Sequence, residues 1–271
     1  MEQMPYFALL RHLNTLQRAG VFAEADSISY VSKRLRDPVA AKKAKVLPFR
    51  LFMAQQMFTP ITGRERRISD ALDEALDASF KNMPDLSGRV CIAPDVSGSM
   101  SECISEKSKT SYIQIAGVFT AALMKANPDA TVLPFERMVV QLSLSARDSV
   151  MTTIRTLAAV AGGGTAVSAP ISYLLEHQIA VDTLIGITDN EEWAYDRWGN
   201  QGFLPVWRTY RQTVNPNAQA YLITIDPGNG RVAPEHEPGV HYIYGWSDQV
   251  VQYIGKSGEG MKGQIAAIEA D

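Results

Sequence analysis

Cysteine is nearly missing from this chain. Of 271 residues only Cys91, inside an apolar run, and Cys103, in a polar stretch, are cysteines. Two such positions make no disulfide framework and suit a reducing compartment. Long apolar runs are missing too. No stretch approaches the roughly 18 residues that would cross a bilayer. The first residues lack the basic, apolar, small-residue order of a secretory leader, so the chain is expected in the cytoplasm with no membrane partner. His12, His177, His236 and His241 are scattered without ligand spacing, and a solvated or hydrogen-bonded role accounts for each.

The motifs of several enzyme classes are also absent. Asp95-Val96-Ser97 lacks the second aspartate of a loop that forms an aspartyl phosphate, and Ser97 lacks the preceding glycine of a Gly-x-Ser-x-Gly elbow. Gly162-Gly163-Gly164-Thr165 has no Gly-Lys-Ser/Thr ending, and Gly255-Lys256-Ser257 has no glycine at the upstream position a phosphate loop needs. With no nucleophile and base paired in the sequence, the expectation is a binding protein and not an enzyme.

What is present is an ordinary globular composition, 46% hydrophobic and 20% charged, enough for one large or two small domains. The net charge of −3 conceals an asymmetry. Residues 1–67 hold 12 Lys and Arg against 5 Asp and Glu, a balance of +7; the rest hold 14 against 24, a balance of −10. A basic arm on an acidic body reads either as a solvated helix face or as a surface for a polyanion.

The first part reads as helical. Pro5 opens a helix with Phe7, Leu10, Leu13 and Leu16 at helical spacing, and Gly20 stops it. A second helix over 25–36 carries Ile28, Val31 and Leu35 on one side, and Asp37-Pro38 separates it from a segment holding Lys42, Lys43 and Lys45. Pro48 begins an amphipathic run through Phe58, and Ser69 or Asp70 caps a helix containing Leu72, Leu76 and Phe80. These are short helices in antiparallel hairpins, as in helical-repeat proteins, without a clean sequence period.

After the turn-rich stretch 84–88 the grammar changes to alternating strands and helices. Strands are expected at 90–93, 131–135, 138–142 (an edge strand), 183–188, 220–225 and 241–244; helices at 112–124, 151–160, 168–176, 203–214 and 247–254. The predicted class is α/β, a doubly wound, mostly parallel sheet preceded by a short all-α segment. Ligands of such sheets bind at the carboxyl ends of the strands, and Asp95 and Asp189 each follow a predicted strand.

There the chemistry concentrates. Asp95, Ser97 and Ser99, then Thr165 after three glycines, then Asp189, would place two carboxylates and three hydroxyls around one point. Oxygen-only ligation suits a hard divalent ion, foremost magnesium. With two acidic groups, both able to act through water, the ion would keep a coordination position for an acidic oxygen from outside, as in a metal-ion-dependent adhesion site. Asn190, Glu191 and Glu192 either tune that edge or begin a loop. Trp193, Tyr195, Trp198 and Phe203 either frame a partner surface or pack a long loop.

Residues 90–255, with this metal motif, resemble a von Willebrand factor A domain. The strings 4–13 (MPYFALLRHL), 45–50 (KVLPFR), 71–76 (ALDEAL) and 188–191 (TDNE) narrow the likeness to the Ro ribonucleoprotein autoantigen (TROVE) family, in family order over nearly the whole chain. The resemblance implies a helical segment over 1–88 and an A-type domain over 89–271. In that family a ring of helical repeats carries small structured RNAs on its outer surface, admits single-stranded ends of misfolded RNAs, and is closed by the A domain. Only the last helices of that ring have counterparts here, so one chain of this length would not close it, and threading would need several copies in a homo-oligomer. Small non-coding or misfolded RNA is therefore the expected partner. Lys33, Arg34, Lys42, Lys43, Lys45, Arg64, Arg66 and Arg67 would bind its phosphates in a sequence-independent, salt-dependent way. The other expectation is a magnesium-dependent protein-interaction module, with no RNA binding of its own, that takes a partner's acidic side chain at the metal.

Overall fold

In the computed structural model, residues 4–44, 46, 48–80, 86–106, 108–189, 195–199, 202–226, 237–246, 250 and 253–254 are described. They divide into two compact units, residues 1–82 with 149–151, and residues 83–148 with 152–271. Among the described residues no helix is long and apolar enough to cross a membrane.

The first unit is all helical: α1 (Tyr6–Arg18), α2 (Ala25–Leu35), α3 (Pro38–Lys43), α4 (Pro48–Met57) and α5 (Arg66–Ser79). Pro5 stands at the N-cap of α1, and Gly20 adopts φ +73° just beyond its end, a left-handed conformation open to glycine at no steric cost. The buried face of α1 is Tyr6, Leu9, Leu10 and Leu13. Phe7, expected in that stripe, is exposed, and Leu16 is half-buried. The stripe is displaced because the Tyr6 hydroxyl reaches the Leu35 carbonyl at 2.8 Å and draws the first turn toward α2. Ile28, Val31 and Leu35 are buried as the spacing predicts. Asp37 caps α3 by accepting from the backbone N–H of Val39 and Ala40, both at 3.0 Å.

Helix α5 starts earlier than predicted, so Ser69 and Asp70 lie inside it. Its N-cap is Glu65, a buried carboxylate that accepts from Gln17 Nε2 at 2.6 Å and Ile61 N–H at 2.8 Å and is stabilised by those bonds. A cap formed by backbone geometry and tertiary contacts leaves no Ser or Asp signal to read.

Among its described residues the second unit holds a five-stranded sheet of order β2-β1-β3-β4-β5, with β1 (Val90–Pro94), β2 (Thr131–Val132), β3 (Thr183–Thr188), β4 (Gln219–Thr224) and β5 (Val240–Tyr244). Every pairing is parallel. The helices are α6 (Tyr112–Ala126), α7 (Val150–Ala158), α8 (Ala169–Glu176) and α9 (Phe203–Thr213). Strand β1 is buried along its whole length and β3 nearly so, which explains their unbroken apolar sequences. One sheet face, with Cys91, Ala93, Leu184, Ala220 and Leu222, belongs to a core that also holds Leu174 of α8 and Trp207 and Tyr210 of α9. The Trp207 ring stacks between Phe203 and Tyr210 at 5.7 and 5.6 Å. Phe203 is thus core, while Tyr195 is exposed and Trp198 carries the Arg197 guanidinium 4.3 Å above its ring.

The edge strand expected at 138–142 does not form. Val140 N–H returns to the Pro134 carbonyl at 2.7 Å and Glu136 N–H to that of Met138 at 3.0 Å, closing a local turn. Among the described residues strand β2 ends the sheet, and these apolar residues, with no further strand there to pair with, satisfy their backbone locally. The predicted strand 131–135 shortens to two residues plus an isolated bridge from Phe135 to Asp95. The predicted helix 247–254 lies largely outside the described residues.

Two glycines test how tightly this unit is packed. A Cβ at Gly117 in α6 would lie 2.7 Å from Ile154 Cγ1 and 3.0 Å from Ile154 Cα on α7. One at Gly186 in β3 would meet only the tip of Leu222, at 2.9 Å. Gly117→Ala should therefore cost about 1–2 kcal/mol of unfolding free energy by overpacking against backbone, even after the better helix propensity of alanine. Gly186→Ala should stay within about 1 kcal/mol because the Leu222 tip can turn away. Urea unfolding of both variants checks the order, and equal losses would contradict it.

Candidate functional site

The order of the sheet reverses between β1 and β3: the chain leaves β1 toward β2 and returns on the other side as β3. At such a switch point the loops leaving the carboxyl ends diverge and open a crevice. Asp95 follows β1 and Asp189 follows β3, and the two strands are paired up to Pro94 and Ile187. Asp95 N–H extends the pairing to the Ile187 carbonyl at 2.8 Å.

Both oxygens of Asp95 are engaged. Oδ1 accepts from Ser97 N–H at 2.8 Å, folding the loop back, and Oδ2 accepts from the Thr188 hydroxyl at 2.7 Å. The Ser97 and Ser99 hydroxyls lie 3.3 Å apart. The glycine loop is tied to this one by backbone bonds on either side of Ser97, Gly162 N–H to the Val96 carbonyl at 2.9 Å and Gly98 N–H to that of Gly163 at 3.2 Å. Gly163 has φ +74°, which favours glycine, and a Cβ there would meet the tip of the Glu136 side chain, which would have to turn away. Thr165 follows, fully buried, and its hydroxyl has no hydrogen-bond partner among the described residues.

The electrostatics point the same way. Asp95 is fully buried and Asp189 nearly so. Burial, and next the neighbouring Asp189 carboxylate, push the Asp95 carboxyl up to about 7 against the hydrogen bonds from Ser97 and Thr188. Two buried carboxylates at one rim of the sheet, with a buried hydroxyl that lacks a partner among the described residues on the loop tied to theirs, make an acidic, oxygen-rich cluster. Oxygen donors of this kind fit a hard divalent cation. The five residues proposed from sequence are thus on loops at one rim: Asp95, Ser97, Ser99 and Asp189 are linked by contact or field, and Thr165 stands on the loop tied to them. Among the described residues no three His, Cys, Asp or Glu side chains gather as a metal cluster; the donor set here is two carboxylates and three hydroxyls.

Sequence reasoning missed four neighbours. Thr188 orients Asp95, and Glu136 faces Gly163. Tyr112, at the start of α6, is hydrogen-bonded to Asp226 beyond β4; burial first, then Asp226, Asp189 and Glu102, push its hydroxyl up to about 12. Only Thr188 had a legible signal, its place beside Asp189 at a strand end. Asn190 to Trp193 lie outside the described residues.

In the helical unit, Lys33 and Arg34 occupy the last turn of α2, Lys42 and Lys43 that of α3, Arg64 the turn before α5, and Arg66 and Arg67 its first turn. Lys45 lies outside the described residues. Lys33, Arg34 and Arg67 line one cleft of about 820 Å³ together with Arg36, which sequence reasoning left out. Lys42, Lys43, Arg64 and Arg66 are not on it.

Comparison with known proteins covers both units. Residues 1–64 match the TROVE domain and residues 89–256 the Ro60 vWA domain. RNA-binding protein RO60 of Deinococcus radiodurans is 31% identical over 198 residues, 69% of this chain and 37% of that protein. RNA-binding protein RO60 of Caenorhabditis elegans is 22% identical over 262 residues, 93% of this chain and 40% of that protein. The chain thus spans about two fifths of the length of these relatives. The crystal structure of the Deinococcus radiodurans RO (RSR) protein shares the fold with a TM-score of 0.78 at 24% identity, over 93% of this chain and 53% of that one.

The raised Asp95 carboxyl sets a pH dependence. A buried acid whose folded value lies above its unfolded value of 3.8 contributes stability below about pH 4 and loses that contribution as pH rises through about 7. In a chelator, the melting temperature should fall between pH 5 and pH 8 by roughly several degrees, and Asp95→Asn should flatten that limb and melt above the parent at pH 8. Thermal melts of both across this range check it; a variant less stable than the parent at pH 8 would contradict it.

Proposed function

This chain belongs to the Ro60 family of TROVE and von Willebrand factor A proteins, and we propose that it is a Ro-like RNA-binding component of a ribonucleoprotein. The observation that carries this reading is the convergence of Lys33, Arg34 and Arg67 on one cleft of the helical unit, in the region that matches the TROVE domain. Arg34 is paired with Asp37, but Lys33 and Arg67 have no acidic partner among the described residues, and that excess of positive charge favours a polyanion. The names of the relatives support RNA as that polyanion. Binding is the work of this chain, and the basic residues around the cleft, with Lys42, Lys43, Lys45, Arg64 and Arg66 beyond it, contribute charge without reading sequence.

A second reading concerns the A-type unit. There Asp95, Ser97, Ser99, Thr165 and Asp189 would hold a magnesium ion, which when bound supplies a coordination position for an acidic oxygen from a protein partner. The Thr165 hydroxyl favours this, since it is buried without a hydrogen-bond partner among the described residues. Asp95, bonded to Ser97 and Thr188, would act chiefly by holding its loop and by charge.

Filter binding of a small structured RNA should weaken steeply as salt rises, with a log–log slope more negative than about −2 for three or more phosphate contacts. A flat salt dependence, or no binding at low salt, would overturn the RNA reading. For the metal reading, Thr165→Val should leave the metal-free melting temperature equal or higher, because it removes an unpaired buried hydroxyl, and should abolish the upward shift that magnesium gives the parent. An unchanged magnesium shift in Thr165→Val would count against that ligand set.

A further inference from the structure

The cleft between α2 and α5 has more built into it than charge. Its volume of about 820 Å³ lies in the range of clefts that hold small ligands, roughly 300–1,000 Å³. Its cations differ in state. Arg36 is held by two bonds to Glu74, at 2.6 and 2.8 Å, and Arg34 meets Asp37 at 3.3 Å, so both are oriented and charge-balanced. Lys33 and Arg67 have no acidic partner among the described residues, which leaves the cleft an excess of two positive charges. Tyr30 adds an aromatic side chain to the lining.

Ser32 is the informative residue. It lines the cleft from the body of α2, is 2% exposed, and its hydroxyl has no hydrogen-bond partner among the described residues. A helical serine commonly returns its hydroxyl to a carbonyl of the preceding turn; this one does not. A buried donor left open at the base of a cationic cleft is matched by an oxyanion with several acceptor atoms.

We infer that this cleft is a specific seat for one nucleotide step of an RNA strand. Ser32 donates to a phosphate oxygen, Lys33 and Arg67 neutralise the phosphodiester, and the base lies against Tyr30, since aromatic faces accept any base. The inference rests on the RNA-binding reading above and adds that the affinity is concentrated here and not spread over the basic surface. A strand free to bend can place a phosphate at Ser32; the stiff backbone of a duplex lies across the mouth.

The test is fluorescence anisotropy of the full chain with a short labelled single-stranded RNA over a series of potassium chloride concentrations. Ser32→Ala should weaken binding several-fold with the salt slope unchanged and the melting temperature equal or higher, because a hydrogen bond to the ligand and not a charge is lost. Lys33→Ala with Arg67→Ala should weaken it by roughly tenfold or more at low salt and flatten the slope by about 1.4, the value for two single-strand phosphate contacts. Arg11→Ala with Arg18→Ala removes the same charge from α1, off the cleft, and should cost much less. Unchanged affinity in Ser32→Ala, or equal losses in the two double variants, overturns the seat and leaves RNA binding standing. Absence of binding by the parent chain at low salt overturns both. Displacement of the RNA by inorganic phosphate at matched ionic strength would reassign the cleft to the free anion.

Discussion

The mutual repulsion of Asp95 and Asp189 is the constraint around which the A-type unit is arranged. Adjacent parallel strands deliver both carboxylates to the same end of the sheet, and burial denies them the water that would screen them. A fold that only sought stability would place apolar or singly charged groups there. Instead each surrounding bond serves to hold the arrangement: Ser97 N–H and the Thr188 hydroxyl fix the rotamer of Asp95, and backbone bonds from Gly98 and Gly162 lock the glycine loop to the loop of the serines. Preorganisation of this sort concentrates an unfavourable field at one point, where a cation finds it favourable.

The helical unit carries the opposite sign by similar means. Arg36 and Arg34 are braced by Glu74 and Asp37, while Lys33 and Arg67 are left to face solvent and whatever anion comes. Both units thus set an unbalanced charge on a frame made rigid by balanced ones. In each, a buried hydroxyl without a partner among the described residues, Thr165 in one and Ser32 in the other, marks the place where the frame is open.

How much of this could be read in the amino acids follows from how local each signal is. The strands β1 and β3 are continuous apolar runs ended by aspartates, and their limits were legible to within a residue or two. Asp95, Ser97, Ser99 and Asp189 lie in short strings after those runs and Thr165 directly after three glycines, so their loops were legible too. What was not legible is tertiary: the cap of α5 rests on Glu65 receiving bonds from Gln17 and Ile61, the turn at 134–140 on the lack of a further strand, and the displacement of Phe7 from the α1 stripe on the reach of Tyr6 to Leu35. The basic residues of the helical unit form a charge run in the sequence, and their spacing does not separate Lys33, Arg34 and Arg67, which share a cleft with Arg36, from Lys42, Lys43, Arg64 and Arg66, which do not.

The pairing of β1 with β3 has a consequence for how the chain comes to be folded. Val90 pairs with Thr183, and the Arg89–Asp182 ion pair at the mouth of the same two strands closes a separation of 93 residues. Most of the loop between them must be gathered before the central strand has both its neighbours, so the entropic toll of closure falls early and the reward late. During synthesis β1 emerges long before β3, with its apolar edge waiting for a mate. The A-type unit is therefore expected to complete itself slowly, and to be most exposed to misassociation in the interval when that edge stands alone.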